Sequence, residues 1–438
     1  MKLEVFASLN KFVKRCERAM RTPVQTLVQV PLHAPRLRLE RPMTNEIAGH
    51  QPPQISLLSL FLKFLRFGCL AFGGPVAQIA MVRQALVDEE KWISSARFNR
   101  LLAVMQILPG PEAHELCVHL GITARGRIGG LLAGLGFMLP GLILMLAAGW
   151  TYETFIMGRA GFGGILLGIQ IAVLAIILRA IQRIGSHILE DRLLWVLALA
   201  SFAATLAGIP FWIPLGAAGM IYAVHERPWC VAVTVAVAAA LVWLTFQPVA
   251  DITVQIQTNS SVSALVLFIA GLKGGLLTFG GAYTAIPYVR QDTVAKGWIS
   301  DATFLDGVAL AGILPAPLVI FATFTGYIAG GWTGALAITA GMFLPAFAFS
   351  MIFYERLEAV VENPALQRFL GGVAAAVVGV IVATLVLLAA SVGGRVTSYV
   401  AAVVIFLVCL SAVWKIKGKW VTPVLVLAAG SAGWILNP

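Results

Sequence analysis

The chain says nearly the same thing twice. Phe72-Gly73-Gly74, Arg83-Gln84, Trp92-Ile93-Ser94, Leu108-Pro109-Gly110-Pro111 and Leu139-Pro140 return in order. The second set reads Phe279-Gly280-Gly281, Arg290-Gln291, Trp298-Ile299-Ser300, Leu314-Pro315-Ala316-Pro317 and Leu344-Pro345. The offset stays between 205 and 207 residues, so the echo needs only two single-residue gaps. Both copies lie in apolar sequence with glycine and proline at matching depths. Duplicated halves with interrupted hydrophobic helices are the sequence signature of carrier folds.

Composition sets the solvent. Hydrophobic residues make up 59% of the chain and charged residues 12%, about half the charge of a soluble domain, and mean hydropathy is +0.89. Apolar stretches of about 20 residues recur between charged or Pro/Gly breaks, which predicts helical spans rather than a β-barrel. The expected class is an all-α polytopic membrane protein of about 10–13 transmembrane helices. Its two homologous repeats contain broken helices. The net charge of +11 fits loops facing anionic lipid, with no nucleic acid implied. The five cysteines are scattered, so neither a disulfide framework nor a zinc site is indicated. No G-x-x-x-x-G-K-[ST] stretch occurs, which removes the usual ATP-driven reading.

The predicted organisation is a basic extension (1–55), a first repeat (56–247), a polar linker (248–262) and a second repeat (263–438). The extension holds nine Lys/Arg against four Glu. Leu9, Phe12, Val13, Cys16 and Met20 sit at helical spacing in it, as in a basic surface helix. A targeting segment, or an over-extended start with Met43 as initiator, are the alternatives. Spans are expected near 56–82, 101–124, 127–150, 163–183, 193–208, 210–225 and 229–247. The second half gives 262–289, 304–328, 332–354, 369–391, 398–414 and 420–436. An odd number in the first half would start the second repeat from the other face, making the repeats inverted. Basic loops then place the N-terminus, Arg125, Arg127, Arg183, Arg227, Arg290 and Lys296 in the cytoplasm. Arg83, Lys91, Arg97, Arg100, Arg159 and Arg395 fall opposite.

The repeated motifs carry the candidate chemistry. Phe-Gly-Gly sits deep in a hydrophobic span in both halves (Phe72, Gly73, Gly74; Phe279, Gly280, Gly281). Glycine lets the backbone unwind, and a following half-helix presents a positive end that suits an anion. Plain small-residue helix packing is the alternative. Pro109-Gly110-Pro111 and Pro315-Ala316-Pro317 cannot continue a helix. Such a break is tolerated only inside protein or beside a wet cavity, although a simple kink would leave the same trace. Arg66 and Lys273 are repeat-matched cations six residues before each Phe, and the expectation is that both face one central cavity. Arg83 and Arg290 also match, with interfacial anchoring as the alternative. Glu112, His114, Glu115 and His119 follow the first break and have no charged counterparts. They could carry a coupled proton, pair with Arg66, or be structural, whereas their spacing is poor for a metal.

These residues are where the chain resembles a known family. F-G-G-P, R-Q, W-I-S, L-P-G-P-E-A and G-x-x-x-x-L-P-G (72–75, 83–84, 92–94, 108–113, 134–141) resemble the N-terminal half of the chromate ion transporter family. F-G-G-A-Y, R-Q, W-I-S and L-P-A-P (279–283, 290–291, 298–300, 314–317) resemble its C-terminal half. The match runs over about residues 56–438 and fits the long, two-domain form. The resemblance implies a multi-pass inner-membrane protein with a cytoplasmic N-terminus. It implies efflux of chromate driven by the proton-motive force and conferring resistance, with sulfate or general oxyanion transport as the alternative. It implies no enzyme activity and no cofactor. The lipid bilayer is then the surrounding partner, and a homodimer is an open option. The motif residues above would bind substrate, with Glu112, His114 and Glu115 coupling protons. An anion channel, a non-transporting scaffold and an intramembrane enzyme are the competing classes. The last lacks a nucleophile.

Overall fold

The computed structural model describes residues 54–159, 162–245, 262–279, 281–352, 364–416, 418 and 420–436, and among them it is built of helices alone. The basic extension up to residue 53 and most of the 248–262 linker lie outside the described residues. The first repeat begins with α1 (Leu57–Cys69), α2 (Gly74–Arg83, continued by a π-helical turn, Gln84–Glu89), α3 (Ser95–Ile107) and α4 (Glu112–Thr151). It continues with α5 (Gly163–Ile188), α6 (Arg192–Leu206), α7 (Trp212–Ala223) and α8 (Pro228–Thr245). The second repeat gives α9 (Ala264–Leu276), α10 (Ala285–Thr293), α11 (Asp301–Ile313) and α12 (Phe321–Ile352). It ends with α13 (Pro364–Gly393), α14 (Tyr399–Lys415) and α15 (Val421–Leu436).

Length decides what these helices can do. α1, α3, α9 and α11 have 13 residues each, about 20 Å of helix against a hydrocarbon core of about 30 Å. Each stops at a break. α1 begins on Ser56, whose hydroxyl accepts from the Ser59 amide (3.1 Å), and α11 repeats the device with Ser300 and Thr303 (3.1 Å). α1 ends before Gly73 (φ 87°) and Gly74 (φ 77°), a left-handed pair that side chains resist. Pro75 then opens α2, where its missing N–H costs nothing. The single spans expected at 56–82 and 262–289 are therefore each two segments around a Phe-Gly-Gly break. Those at 101–124 and 304–328 are likewise divided by their proline breaks.

α4 reads as 40 continuous residues, yet Arg125 (φ −143°, ψ 29°) and Gly126 (φ 63°, ψ −163°) leave helical geometry. Gly330 (φ −150°, ψ 20°) and Gly331 (φ 62°, ψ −155°) turn the same corner in α12. Each is a tight hairpin whose arms touch through glycine. A Cβ on Gly121 would strike Gly129 and Ala133, and one on Gly326 would strike Gly334 and Ile338. The second arm of α4 (127–151) runs parallel to α1: Gly136 packs on Phe61 and Leu65, and Gly68 on Phe137 and Pro140. In the second repeat Gly341 packs on Phe268 and Leu272, and Gly275 on Met342 and Pro345. Without a hydrophobic force between helices in lipid, such close backbone approach is what holds them together.

The two repeats enter from opposite ends. Gly134 of α4 packs on Phe347, whereas Gly149 packs on Tyr327. The second arms of α4 and α12 are thus antiparallel, and the Gly330–Gly331 corner lies where α4 finishes. We call the end holding the Arg125–Gly126 corner the near face and the other the far face. Arg83 sits at the near face, because α2 folds back along α1: Lys63 is ion-paired with Glu90, and Phe64 packs on Trp92. Arg290 belongs to the far face, where Lys273 lies over Phe211 of the α6–α7 loop. The sequence-based assignment of these two arginines to the opposite sides is thereby reversed, because α1–α2 and α9–α10 are re-entrant. Valine at Gly136 or Gly341 is expected to cost about 1–3 kcal/mol or more, read as a lowered melting temperature or a lost monodisperse peak in detergent.

Candidate functional site

The four breaks meet at the centre of the molecule, each crossing to the other repeat. The Gly110 amide donates to the Thr278 carbonyl (2.8 Å), joining the first proline break to the segment before the second Phe-Gly-Gly. Gln78, from just after the first Phe-Gly-Gly, donates to Ala71 O (2.9 Å) and to Ala316 O in the second proline break (2.8 Å). Gly141 packs on Ala316 and Pro315, and Gly110 faces Ala346. Pro109, Gly110, Pro111, Pro315 and Pro317 are all buried there. Phe72 stacks on Trp420 with centroids 4.9 Å apart. Breaks of this kind need internal partners at membrane depth, and each repeat supplies them to the other.

From this crossing a cavity of about 1160 Å³ extends to the near face. Its floor includes Pro75, Phe279, Gly281 and Glu112, and its walls carry Arg83, Arg183, His187, Glu190, Tyr222 and Arg368. Gly281 has φ 131°, and a Cβ there would stand 4.0 Å from Glu112 Oε1. Glu112 and Arg183 line the same cavity. Arg83 is held by neutral groups, donating to Ser95 Oγ (2.9 Å) and Asn99 Oδ1 (3.5 Å). Nε of Arg368 is buried with no hydrogen-bond partner among the described residues.

On the far side the centre is packed shut. Tyr152 and Gln170 both donate to Asp306, at 2.7 Å each, tying α4 and α5 to α11. Phe304, Phe321 and Phe324 are buried completely around them. Among the described residues, the cavity opens toward the near face.

The expected site residues sort into three groups. Phe279, Gly281 and Glu112 line the cavity, while Gly73, Gly74 and the proline breaks are not among its lining residues. Gly280 lies outside the described residues. His114 is fully buried among Phe343 and Phe347, with ring centroids 5.0 and 4.7 Å away, and so belongs to the packing of the crossing. Glu115 is also fully buried, beside Gly110, and neither carboxyl oxygen has a hydrogen-bond partner among the described residues. Arg66 and Lys273 do not face one cavity. Arg66 is exposed on the last turn of α1, where a cation suits the helix dipole. Lys273 is ion-paired with Asp292 at 2.7 Å. The cavity's cations are instead Arg83, which its repeat match made visible, and Arg183 and Arg368, which belong to no repeated motif.

Inverted repeats, crossed helix breaks and a one-sided cationic cavity define a carrier-type membrane transporter rather than an enzyme. The chain matches the family described as "Chromate transporter" over residues 58–267 and again over 265–434. It is 56% identical over 392 residues to the chromate transport protein of Pseudomonas aeruginosa, covering 88% of this chain and 94% of that one. It is 30% identical over 405 residues to the chromate transport protein of Cupriavidus metallidurans, covering 91% and 98%. An uncharacterized transporter of Methanocaldococcus jannaschii is 27% identical over 368 residues, 80% of this chain and 89% of that one. No solved structure matches the chain significantly. The protein belongs to the chromate transporter family.

Gln78→Leu removes the strut between the two repeats and strands two buried carbonyls. The expected loss is about 1–3 kcal/mol of stability, read as a drop in melting temperature. Gln78→Glu, which replaces the donating amide with an acceptor, should cost at least as much.

Proposed function

We propose that this protein exports chromate from the cytoplasm across the inner membrane and so confers resistance. The near face is the cytoplasmic face. Arg83, Lys91, Arg97, Arg125, Arg127, Arg192 and Arg227 cluster at that end, against Arg159, Arg290, Lys296 and Arg395 at the other, and basic residues mark the cytoplasmic side. With the re-entrant segments placed, this bias is stronger than the sequence alone suggested, and α1 starts from the cytoplasm.

The observation that carries the reading is the cavity. Arg83, Arg183 and Arg368 line one cavity together with Phe279, Gly281 and Glu112. Guanidinium forks suit a tetrahedral oxyanion. The proton-motive force supplies the energy, and its electrical part suffices in sign. A dianion leaving an inside-negative compartment gains about 2 × 2.3 kcal/mol per 100 mV. Glu112 and Glu115 are the proposed proton-coupling groups. An unpartnered carboxylate is costly away from water, and Glu112 shares its cavity with Arg183.

Sulfate is the second reading, because arginines and backbone amides see chromate and sulfate as the same tetrahedral dianion. Chromate accumulation in inside-out vesicles, with sulfate as competitor and the membrane potential and pH gradient imposed separately, tests both. Gradient-driven chromate entry with weak sulfate competition supports the proposal. Equal handling of the two anions makes this a general oxyanion carrier. No flux of either would reject transport through this cavity.

Arg183→Ala and Arg368→Ala should each lower chromate flux about tenfold or more. A charge-assisted hydrogen bond is worth about 1.5–3 kcal/mol, and 1.4 kcal/mol is a factor of ten. Arg66→Ala should change flux less than twofold at matched expression. Glu112→Gln and Glu115→Gln should flatten the pH profile of flux before they weaken chromate binding. An unaltered profile would remove them from the coupling.

A further inference from the structure

The two repeats present the same arginine with different partners. Arg290, at the far face, is held by a carboxylate: Nε donates to Asp301 Oδ1 at 2.7 Å and Nη2 to Oδ2 at 3.0 Å. Its counterpart Arg83 donates to Ser95 Oγ, at the position matched to Asp301, and to Asn99 Oδ1 one turn further on. Ser95 and Asp301 each follow a Trp-Ile-Ser and occupy the first position of α3 and α11. One residue therefore decides whether the matched arginine is neutralised internally or keeps its charge for a guest.

We propose that Ser95 and Asp301 set the anion affinity of the two faces, giving strong loading from the near face and weak binding on the far face. This rests on the carrier reading above. Inverted repeats exchange roles when the carrier turns over, so the far-facing cavity is lined by the counterparts of the near-facing residues. Arg83 is then replaced by Arg290, whose charge is already spent on Asp301, and Phe279 and Gly281 by Phe72 and Gly74. Glu112 has Leu318 as its counterpart, so the far-facing site also lacks that carboxyl. The anion meets an available guanidinium on one side and a neutralised one on the other, which favours release there. Ser95 and Asp301 act as positioning residues, through the arginines and not by touching the anion.

Ser95→Asp imports the second repeat's own arrangement into the first, so the fold already tolerates the pair. Half-saturating chromate is measured from each face in inside-out and right-side-out vesicles. Ser95→Asp should raise the near-face value about tenfold, and Asp301→Ser should lower the far-face value several-fold and slow turnover. The Ser95→Asp effect should vanish in an Arg83→Ala background, which a merely structural disturbance would not do. Wild-type half-saturation in Ser95→Asp, with Arg83→Ala and Arg183→Ala still impaired, would overturn this inference and leave the cavity standing. If Arg83→Ala and Arg183→Ala also bind and move chromate as wild type does, the carrier reading itself has failed.

Discussion

Hydrocarbon offers no hydrogen-bond partner, and this protein breaks its helices four times inside it. Everything else follows from how those breaks are satisfied. An N–H or C=O left bare at that depth costs several kcal/mol. Here the groups freed in one repeat are met by the other, as Gly110 meets Thr278 and Gln78 meets Ala316. Neither repeat can complete its centre alone. The crossing is thus built from both repeats, and the hairpin arms of α4 and α12 hold it in place through glycine contacts.

Around this symmetric frame the charges are not symmetric. The near face has a cavity with three arginines and Glu112 at its floor. The far face has Arg290 neutralised by Asp301 and Asp306 bound to Tyr152 and Gln170. A symmetric frame gives a carrier two facing states of similar energy, and asymmetric charge makes them unequal toward an anion. The first property permits alternation, and the second makes anion binding unequal at the two faces.

Much of this was legible in the sequence, because membrane helices announce themselves by hydropathy and breaks by glycine and proline. The repeat, the all-helical class and the depth of the motifs could be read directly. The re-entrant course of α1–α2 could not, since an apolar run of 27 residues (56–82) looks like one crossing whether or not it turns back at Gly73–Gly74. Taken as one crossing, the run puts Arg83 at the end opposite Arg125 and away from the cavity that it lines with Arg183. Arg66 and Lys273 are matched cations in apolar sequence, but matching reports position along the chain and not which way a helix face points. Arg183 and Arg368 lie near the ends of long apolar helices in unrepeated sequence. No local signal separates such residues from interfacial anchors, and only the packing of α5 and α13 beside the breaks brings them together.

If the carrier alternates, the crossing of the breaks is reached first from one face and then from the other, by residues matched between the repeats. Val76 lines the cavity two residues after Gly74, and Tyr283 is its counterpart in the second repeat. Single cysteines at these positions, in a cysteine-free background, can be challenged with a membrane-impermeant thiol reagent from each side. Val76→Cys should be labelled from the near face and Tyr283→Cys from the far face. Chromate turnover should shift the two rates in opposite senses. Labelling of both from the same face, or rates that move together, would contradict it.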